Sequence, residues 1–128
     1  MSWPKALAAV RRARGARGER LAEAELVRQG YRIQQRNARY PVGEIDLVAM
    51  EQDTLCFVEV RSASSEAWGG PLASVTDRKR RRLIAAARWF LSRYAGPARE
   101  VRFDVVGVTW EPAGPRIELV RSAFTVDG

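Results

Sequence analysis

The chain has 128 residues, 46% hydrophobic and 29% charged, which is enough for one soluble domain with a real core and too little for two. It contains no His and a single Cys, Cys56. That excludes His-based triads, His general bases, His-liganded zinc, disulfide frameworks and thiolate cages, and it suits a reducing cytoplasm.

The net charge of +7 is unevenly spread. Residues 1–42 carry 10 basic and 3 acidic groups, 43–76 carry 1 and 6, 77–99 carry 8 and 1, and 100–128 carry 3 and 5. An acidic island thus lies between two basic segments. Phosphate-rich partners attract the basic surface, and hard divalent cations collect carboxylate oxygens. A merely solvated charged surface is the plainer alternative. No run approaches the ~20 apolar residues of a membrane helix.

In chain order, residues 1–14 lack the apolar stretch and cleavage site of a secretory signal; Arg-rich and acid-free, they resemble a transit peptide faintly and read more economically as a mobile basic arm. A domain follows over 15–128. Its first helix is expected from about Ala16 to Gln29, closed by Gly30. Tyr31–Arg39 alternates weakly, as an edge strand would. Glu44–Met50 and Thr54–Arg61 are β-rich runs separated by Glu51-Gln52-Asp53, the pattern of an antiparallel hairpin. Ser62–Ser74 reads as a loop. A second helix begins at Thr76 or Asp77 and stops at Gly96-Pro97, with Leu83, Ala87, Phe90 and Tyr94 as its buried stripe. Val101–Trp110 and Ile117–Val120 are the last strands. The order of helix, three strands, helix, two strands predicts an α/β fold: a single small mixed sheet flanked by helices.

The hairpin places acids in apolar strands. Alternation puts Glu44, Asp46 and Val48 on one face, opposite Ile45, Leu47 and Ala49; on the next strand Phe57, Glu59 and Arg61 oppose Cys56, Val58 and Val60. If Met50 pairs with Leu55, Asp46 faces Glu59 at ~5 Å, and the two charges repel by roughly 3 kcal/mol at an effective dielectric near 20. A shared proton or a divalent cation relieves this. A solvated hairpin face, or a one-residue slip separating the acids, is the alternative. Glu19 lies in line with Ala22 and Leu26 on the first helix, where a snorkelling surface Glu is the commoner case. Lys79 heads the second helix's stripe, and Arg78, Arg80, Arg81 and Arg82 surround it. Basic residues oppose the macrodipole at a helix N-terminus, so an anionic partner explains this cluster better than helix stability does.

These residues resemble the YraN family of small bacterial proteins. The resemblance runs from about Gly15 to Phe124, through Gly18-Glu19, Gly30-Tyr31, Arg36-Asn37, Gly43-Glu44-Ile45-Asp46-Leu47, Phe57-Val58-Glu59-Val60-Arg61, Lys79, Arg102-Phe103-Asp104-Val105 and Ala123-Phe124. That family in turn looks like the restriction-endonuclease-like superfamily, PD-(D/E)XK, which includes archaeal Holliday-junction resolvases. The resemblance implies an α-β-β-β-α-β core. It implies Glu19 as the helix acid, Asp46 and Glu59 as ligands of Mg²⁺ or Mn²⁺, and the Val60 backbone carbonyl as a further ligand. A Lys is expected two residues after Glu59, where this chain has Arg61, a poor proton acceptor. A second water or metal ion, or Lys79, then supplies the base, or catalysis has been lost while phosphate binding survives.

The reading that follows is a metal-dependent endonuclease hydrolysing phosphodiesters in DNA, with branched or damaged structures as candidate substrates. Arg11, Arg12, Arg14, Arg17, Arg78, Arg80, Arg81 and Arg82 would grip the nucleic-acid backbone without reading sequence. A non-catalytic nucleic-acid-binding module of the same fold is the alternative. Resolvase-like folds often dimerise, so a homodimer is also an expectation, with Trp3, Trp68, Trp89 and Trp110 as candidate interface residues.

Overall fold

The structure, a computed structural model, describes residues 3–64, 69–98 and 100–126, with the side chains of 3, 4, 7 and 10–12 left out. Helix α1 (Trp3–Arg28) is followed by strands β1 (Arg32–Tyr40), β2 (Gly43–Glu51) and β3 (Thr54–Ala63). A 3-10 turn (Leu72–Ser74) and helix α2 (Asp77–Leu91) lead to β4 (Glu100–Glu111) and β5 (Gly114–Phe124). The strands form one sheet in sequence order, antiparallel except for the parallel β3–β4 pair. The mixed α/β fold and the expected element order are both present.

The sheet separates two apolar cores. Ala22 and Leu26 of α1 pack on Leu47, Ala49, Cys56, Val58 and Val106. Leu83, Ile84, Ala86 and Ala87 of α2 pack on the other face, against Val48, Phe57, Phe103 and Val105. The buried line of α1 is Gly18, Ala22 and Leu26, an i, i+4, i+8 spacing that brings one narrow stripe to the sheet.

Four boundaries differ from the sequence reading. The first helix begins at Trp3 rather than about Ala16, so the basic residues of the expected arm stand on a helical extension. The Ala-rich run 6–9 and the early Pro4 favour such a start. Helix α2 ends at Leu91, well before Gly96-Pro97. There the Ser92 hydroxyl donates to the Trp89 carbonyl at 2.7 Å and satisfies a last-turn acceptor. Strand β3 runs on to Ala63, through the first residues of the expected loop, whose residues 65–68 lie outside the described ones. Strand β5 already starts at Gly114, and Pro115 pairs with Trp110, as an edge strand permits.

One end of the sheet is tied by a buried charge network. Asp104, wholly buried, accepts from the Tyr31 hydroxyl at 2.7 Å, from Arg102 Nε at 2.8 Å and from the Ser122 backbone N–H at 3.0 Å. Arg102 also reaches Glu51 at 2.7 Å, and Arg121 holds the same carboxylate at 2.6 Å. Ser122 adopts φ 51°, a left-handed conformation that turns its N–H toward Asp104.

Candidate metal centre

The predicted acids lie one rung further along the sheet, where Glu59 pairs with Val105, the neighbour of Asp104. The hairpin closes as the pattern required: Met50 pairs with Leu55, and the ladder runs to Leu47↔Val58. Asp46 and Glu59 are the next positions, and there the ladder stops. The Val60 N–H donates to Asp46 Oδ2 at 2.8 Å, so the side chain takes a bond that a strand would give to a carbonyl. On the β1 side the pairing also skips Asp46, passing from Arg36↔Leu47 to Ala38↔Ile45. Asn37, at φ 50°, stands across this gap.

The break corrects the expected face assignment. Ile45 packs with Val48 in the α2-side core rather than beside Leu47 and Ala49, so the alternation slips at Asp46. Asp46 and Leu47 both line a groove of about 730 Å³ on the α1 side, together with Glu19, Arg20, Glu23 and Arg36. Glu59 keeps the regular alternation. It lines a smaller cavity of about 170 Å³ on the α2 side, with Glu44, Arg61, Lys79 and Arg82. The two carboxyl groups meet in the gap between the splayed strands, within hydrogen-bonding reach of each other.

Burial dominates the electrostatics. It weakens the acidity of Asp46, against the opposing pull of the Val60 N–H, and Glu44 adds to the effect. Burial, then the Asp46 charge, pushes Glu59 up to about 8. Glu19 is raised as well, first by burial and then by Asp46 and Glu44. The Lys79 ammonium is held below its ordinary range by burial and by Arg61, with Glu59 acting the other way.

The cations are positioned by the segment before α2. Thr76 caps the helix by accepting the Lys79 N–H at 3.3 Å, which sets Lys79 in the first turn, facing Glu59. Arg61 Nη1 lies 3.6 Å from Glu59 Oε1, and its Nε donates to the Ser74 hydroxyl at 2.8 Å. Ser74, which in turn donates to the Pro71 carbonyl at 2.6 Å, is a site residue that sequence reading missed; no local pattern announces a contact across 13 residues. Glu44 was noted only for its strand face, yet its charge acts on both Asp46 and Glu19.

Glu19, Asp46, Glu59, Arg61 and Lys79 are therefore neighbours. The predicted arginines divide. Arg78, Arg81 and Arg82 are exposed, and Arg82 borders the Glu59 cavity. Arg80 is turned away, with its guanidinium 5.5 Å from the Phe124 ring centroid and its Nε buried without a hydrogen-bond partner among the described residues. Arg14 and Arg17 are exposed on α1, whereas the side chains of Arg11 and Arg12 lie outside the described residues. So do Trp68 and the side chain of Trp3; Trp89 stacks on Tyr40 at 6.1 Å and Trp110 lies under Arg17.

Among the described residues no three His, Cys, Asp or Glu side chains converge tightly enough to hold a metal ion by themselves. The site offers two oxygen donors and room for water and phosphate, which suits Mg²⁺ better than a thiolate- or imidazole-seeking ion. The Val60 carbonyl leaves the strand on the same side as the Val60 N–H, toward the gap. No helix of the described residues is long and apolar enough to cross a membrane.

Comparison with known proteins gives a consistent family. The chain is similar to the UPF0102 protein Anae109_1947 of Anaeromyxobacter sp. (strain Fw109-5), 52% identical over 118 residues, covering 92% of this chain and 89% of that protein. It is 44% identical over 117 residues to a UPF0102 protein of Moorella thermoacetica, covering 89% and 97%. It is 46% identical over 119 residues to one of Chlorobium chlorochromatii, covering 88% and 92%. The model of the uncharacterised protein family UPF0102 matches residues 18–108, from the buried glycine of α1 through the centre to β4, and the chain belongs to that YraN-like family.

Proposed function

We propose that this chain is a divalent-cation-dependent endonuclease of the restriction-endonuclease-like kind that hydrolyses phosphodiester bonds in DNA. Asp46, Glu59 and the Val60 carbonyl would hold Mg²⁺ or Mn²⁺. The observation that carries the reading is the meeting of the two largely buried carboxyl groups beside Arg61 and Lys79. Two anions in one poorly hydrated place repel unless a proton or a cation lies between them.

Bound there, such an ion polarises a phosphoryl oxygen and lowers the pKa of a coordinated water. The chain's own groups do the rest. Arg61, fixed by Ser74 and Glu59, offers its remaining N–H groups to the charge that builds on the phosphoryl oxygens during in-line attack. Lys79 in its neutral amine form, which burial and Arg61 favour, would take the proton of the attacking water, a role closed to the always protonated Arg61. Glu19 borders the Asp46 groove from α1, and its carboxylic acid form, which burial and the Asp46 charge favour, would return a proton to the leaving oxygen. Arg14, Arg17, Arg78, Arg81 and Arg82 grip backbone phosphates.

The test is cleavage of plasmid and branched DNA with and without Mg²⁺ or Mn²⁺, using Asp46→Asn and Glu59→Gln as controls and calorimetric Mn²⁺ titration alongside. Nicking that persists in Asp46→Asn means a different site. A second reading, a nucleic-acid-binding module without turnover, is favoured by the Arg61 contacts: its Nε is engaged by Ser74 and its head by Glu59. Salt-dependent DNA binding with no cleavage in any metal selects that reading.

A further inference from the structure

The strands that carry the centre continue past it. Glu59 pairs with Val105 across the parallel β3–β4 ladder, which runs on through Ser62↔Val108 to Ala63↔Thr109. Trp110 follows, about 16 Å along the sheet from Val105 at ~3.3 Å per residue. There it walls a cavity of about 480 Å³ with Arg14 and Arg17 from α1, Ser64 beyond β3, Pro112 of the β4–β5 turn and Pro115, its own ladder partner on β5. The Arg17 guanidinium lies 5.0 Å from the indole centroid. Glu111, the acid on this wall, is engaged by Arg116 at 2.9 Å. A side chain in place of Gly18 would meet Trp110 Cζ2 at 3.8 Å and Ser62 Cβ at 3.9 Å, so the cavity adjoins the segments bearing Glu19 and Arg61.

Two features here serve the fold poorly. The Trp110 indole N–H is buried with no hydrogen-bond partner among the described residues, a costly and uncommon state that a Phe or Leu would avoid. Arg14 and Arg17 stand one helical turn apart and border the same cavity, an arrangement of like charges that disfavours a helix. An aromatic face beside paired cations is instead suited to a stacked ring that carries phosphate.

We infer that this cavity is a subsite for an unpaired nucleotide, with its base against Trp110 and the prolines and its phosphates on Arg14 and Arg17. The inference rests on the nucleic-acid reading above and extends it. A base inside a duplex has both faces occupied by its neighbours, whereas an unpaired base can stack on protein whatever its identity. A strand with its reacting phosphate at the Asp46–Glu59 gap sends its next nucleotides toward Trp110. The substrate class is therefore DNA with a single-stranded segment beside the target phosphate, such as a tail, flap or gap, rather than continuous duplex.

The test is anisotropy titration in EDTA of a blunt duplex and of the same duplex carrying an unpaired tail of about five nucleotides. The full chain binds the tailed DNA at least about fivefold more tightly. Trp110→Leu abolishes that preference and leaves blunt-duplex binding unchanged, and Glu59→Gln retains the preference. Equal binding of both DNAs by the full chain, or a preference that survives in folded Trp110→Leu, overturns the subsite.

Because Trp110 also supports α1, a second measurement uses the unaltered protein: 5-bromouracil in the tail is photocrosslinked and the adduct mapped. An adduct on the peptide containing Trp110 supports the subsite, and adducts confined elsewhere overturn it. Tail preference without metal-dependent cleavage leaves the subsite standing and removes the hydrolase reading. Cleavage without tail preference does the reverse.

Discussion

Asp46 accepts the Val60 N–H through its side chain at 2.8 Å, and this bond marks where β2 and β3 part. The carboxylate thereby does two jobs, closing a backbone donor and facing Glu59. Substitutions separate them. Asp46→Asn keeps an oxygen for Val60 and removes a buried negative charge, so the metal-free protein melts at the same or a higher temperature while Mn²⁺ binding is lost. Asp46→Ala leaves the Val60 N–H unpaired and costs about 1–3 kcal/mol. Calorimetric unfolding of both variants, with and without Mn²⁺, checks the pair.

The carboxyl pair sets a pH dependence. Glu59 is pushed up to about 8 in the folded chain, against about 4.3 for an ordinary Glu. Its protonated form is therefore the one that folding favours. The corresponding stability is fully present below about pH 4.3 and is lost as pH rises through about 8. The metal-free protein melts several degrees lower at pH 9 than at pH 5.5, after allowance for other groups, and Glu59→Gln flattens the slope. Added Mg²⁺ raises the melting temperature more at pH 8 than at pH 5.5. A slope unchanged by Glu59→Gln would refute this.

Arg61 offers a sharp kinetic comparison. Arg61→Lys keeps or raises any nuclease rate, because a lysine restores a proton-accepting group, whereas Glu59→Gln abolishes cleavage. The new lysine forgoes the Ser74 contact, so Ser74→Ala slows the parent severalfold and leaves Arg61→Lys almost unaffected. A large loss in Arg61→Lys instead assigns the guanidinium a role of its own.

The proposed function predicts DNA binding that falls steeply with salt. Each phosphate neutralised contributes about −0.9 to the slope of log K against log salt on B-DNA. With Arg14, Arg17, Arg78, Arg81 and Arg82 exposed, a slope of about −4.5 is expected, and Arg81→Ala reduces it by about one. Binding that is unchanged between low and physiological salt removes the basic segments from the interface.

One position along β4 from Val105, the partner of Glu59, lies Asp104, and Ser122 holds φ 51° while its N–H serves that carboxylate. Asn enters the left-handed region at lower cost than Ser. Ser122→Asn stabilises by up to about 1 kcal/mol. Asp104→Ala costs about 3–5 kcal/mol, because it strands Arg102 and the Tyr31 hydroxyl. Denaturant melts measure both.

Much of this was readable beforehand, for identifiable reasons. Strand lengths and the tight Gln52-Asp53 turn fix Met50 opposite Leu55, and that register alone brings Asp46 level with Glu59. Periodicity also found Leu83 and Ala87, and the helix-capping rule found Thr76. Strict alternation then failed at Asp46, because a hydrogen bond to a different strand turned the residue, and periodicity carries no information about such bonds. Arg80 shows the same limit: a run of arginines gives no sign of which one folds back onto Phe124. The extent of α1 was missed because its arginines were weighed as charge rather than as good helix formers.

Cys56 sits wholly buried on β3, between two flanking strands, with burial pushing its thiol up to about 12. As the sole sulfhydryl in the chain it is shielded from alkylating agents and oxidants for as long as the sheet stays shut. The rate at which a thiol reagent consumes it is thus a built-in clock for opening of the central strands. No engineered label is needed to measure whether DNA or a divalent ion slows that opening.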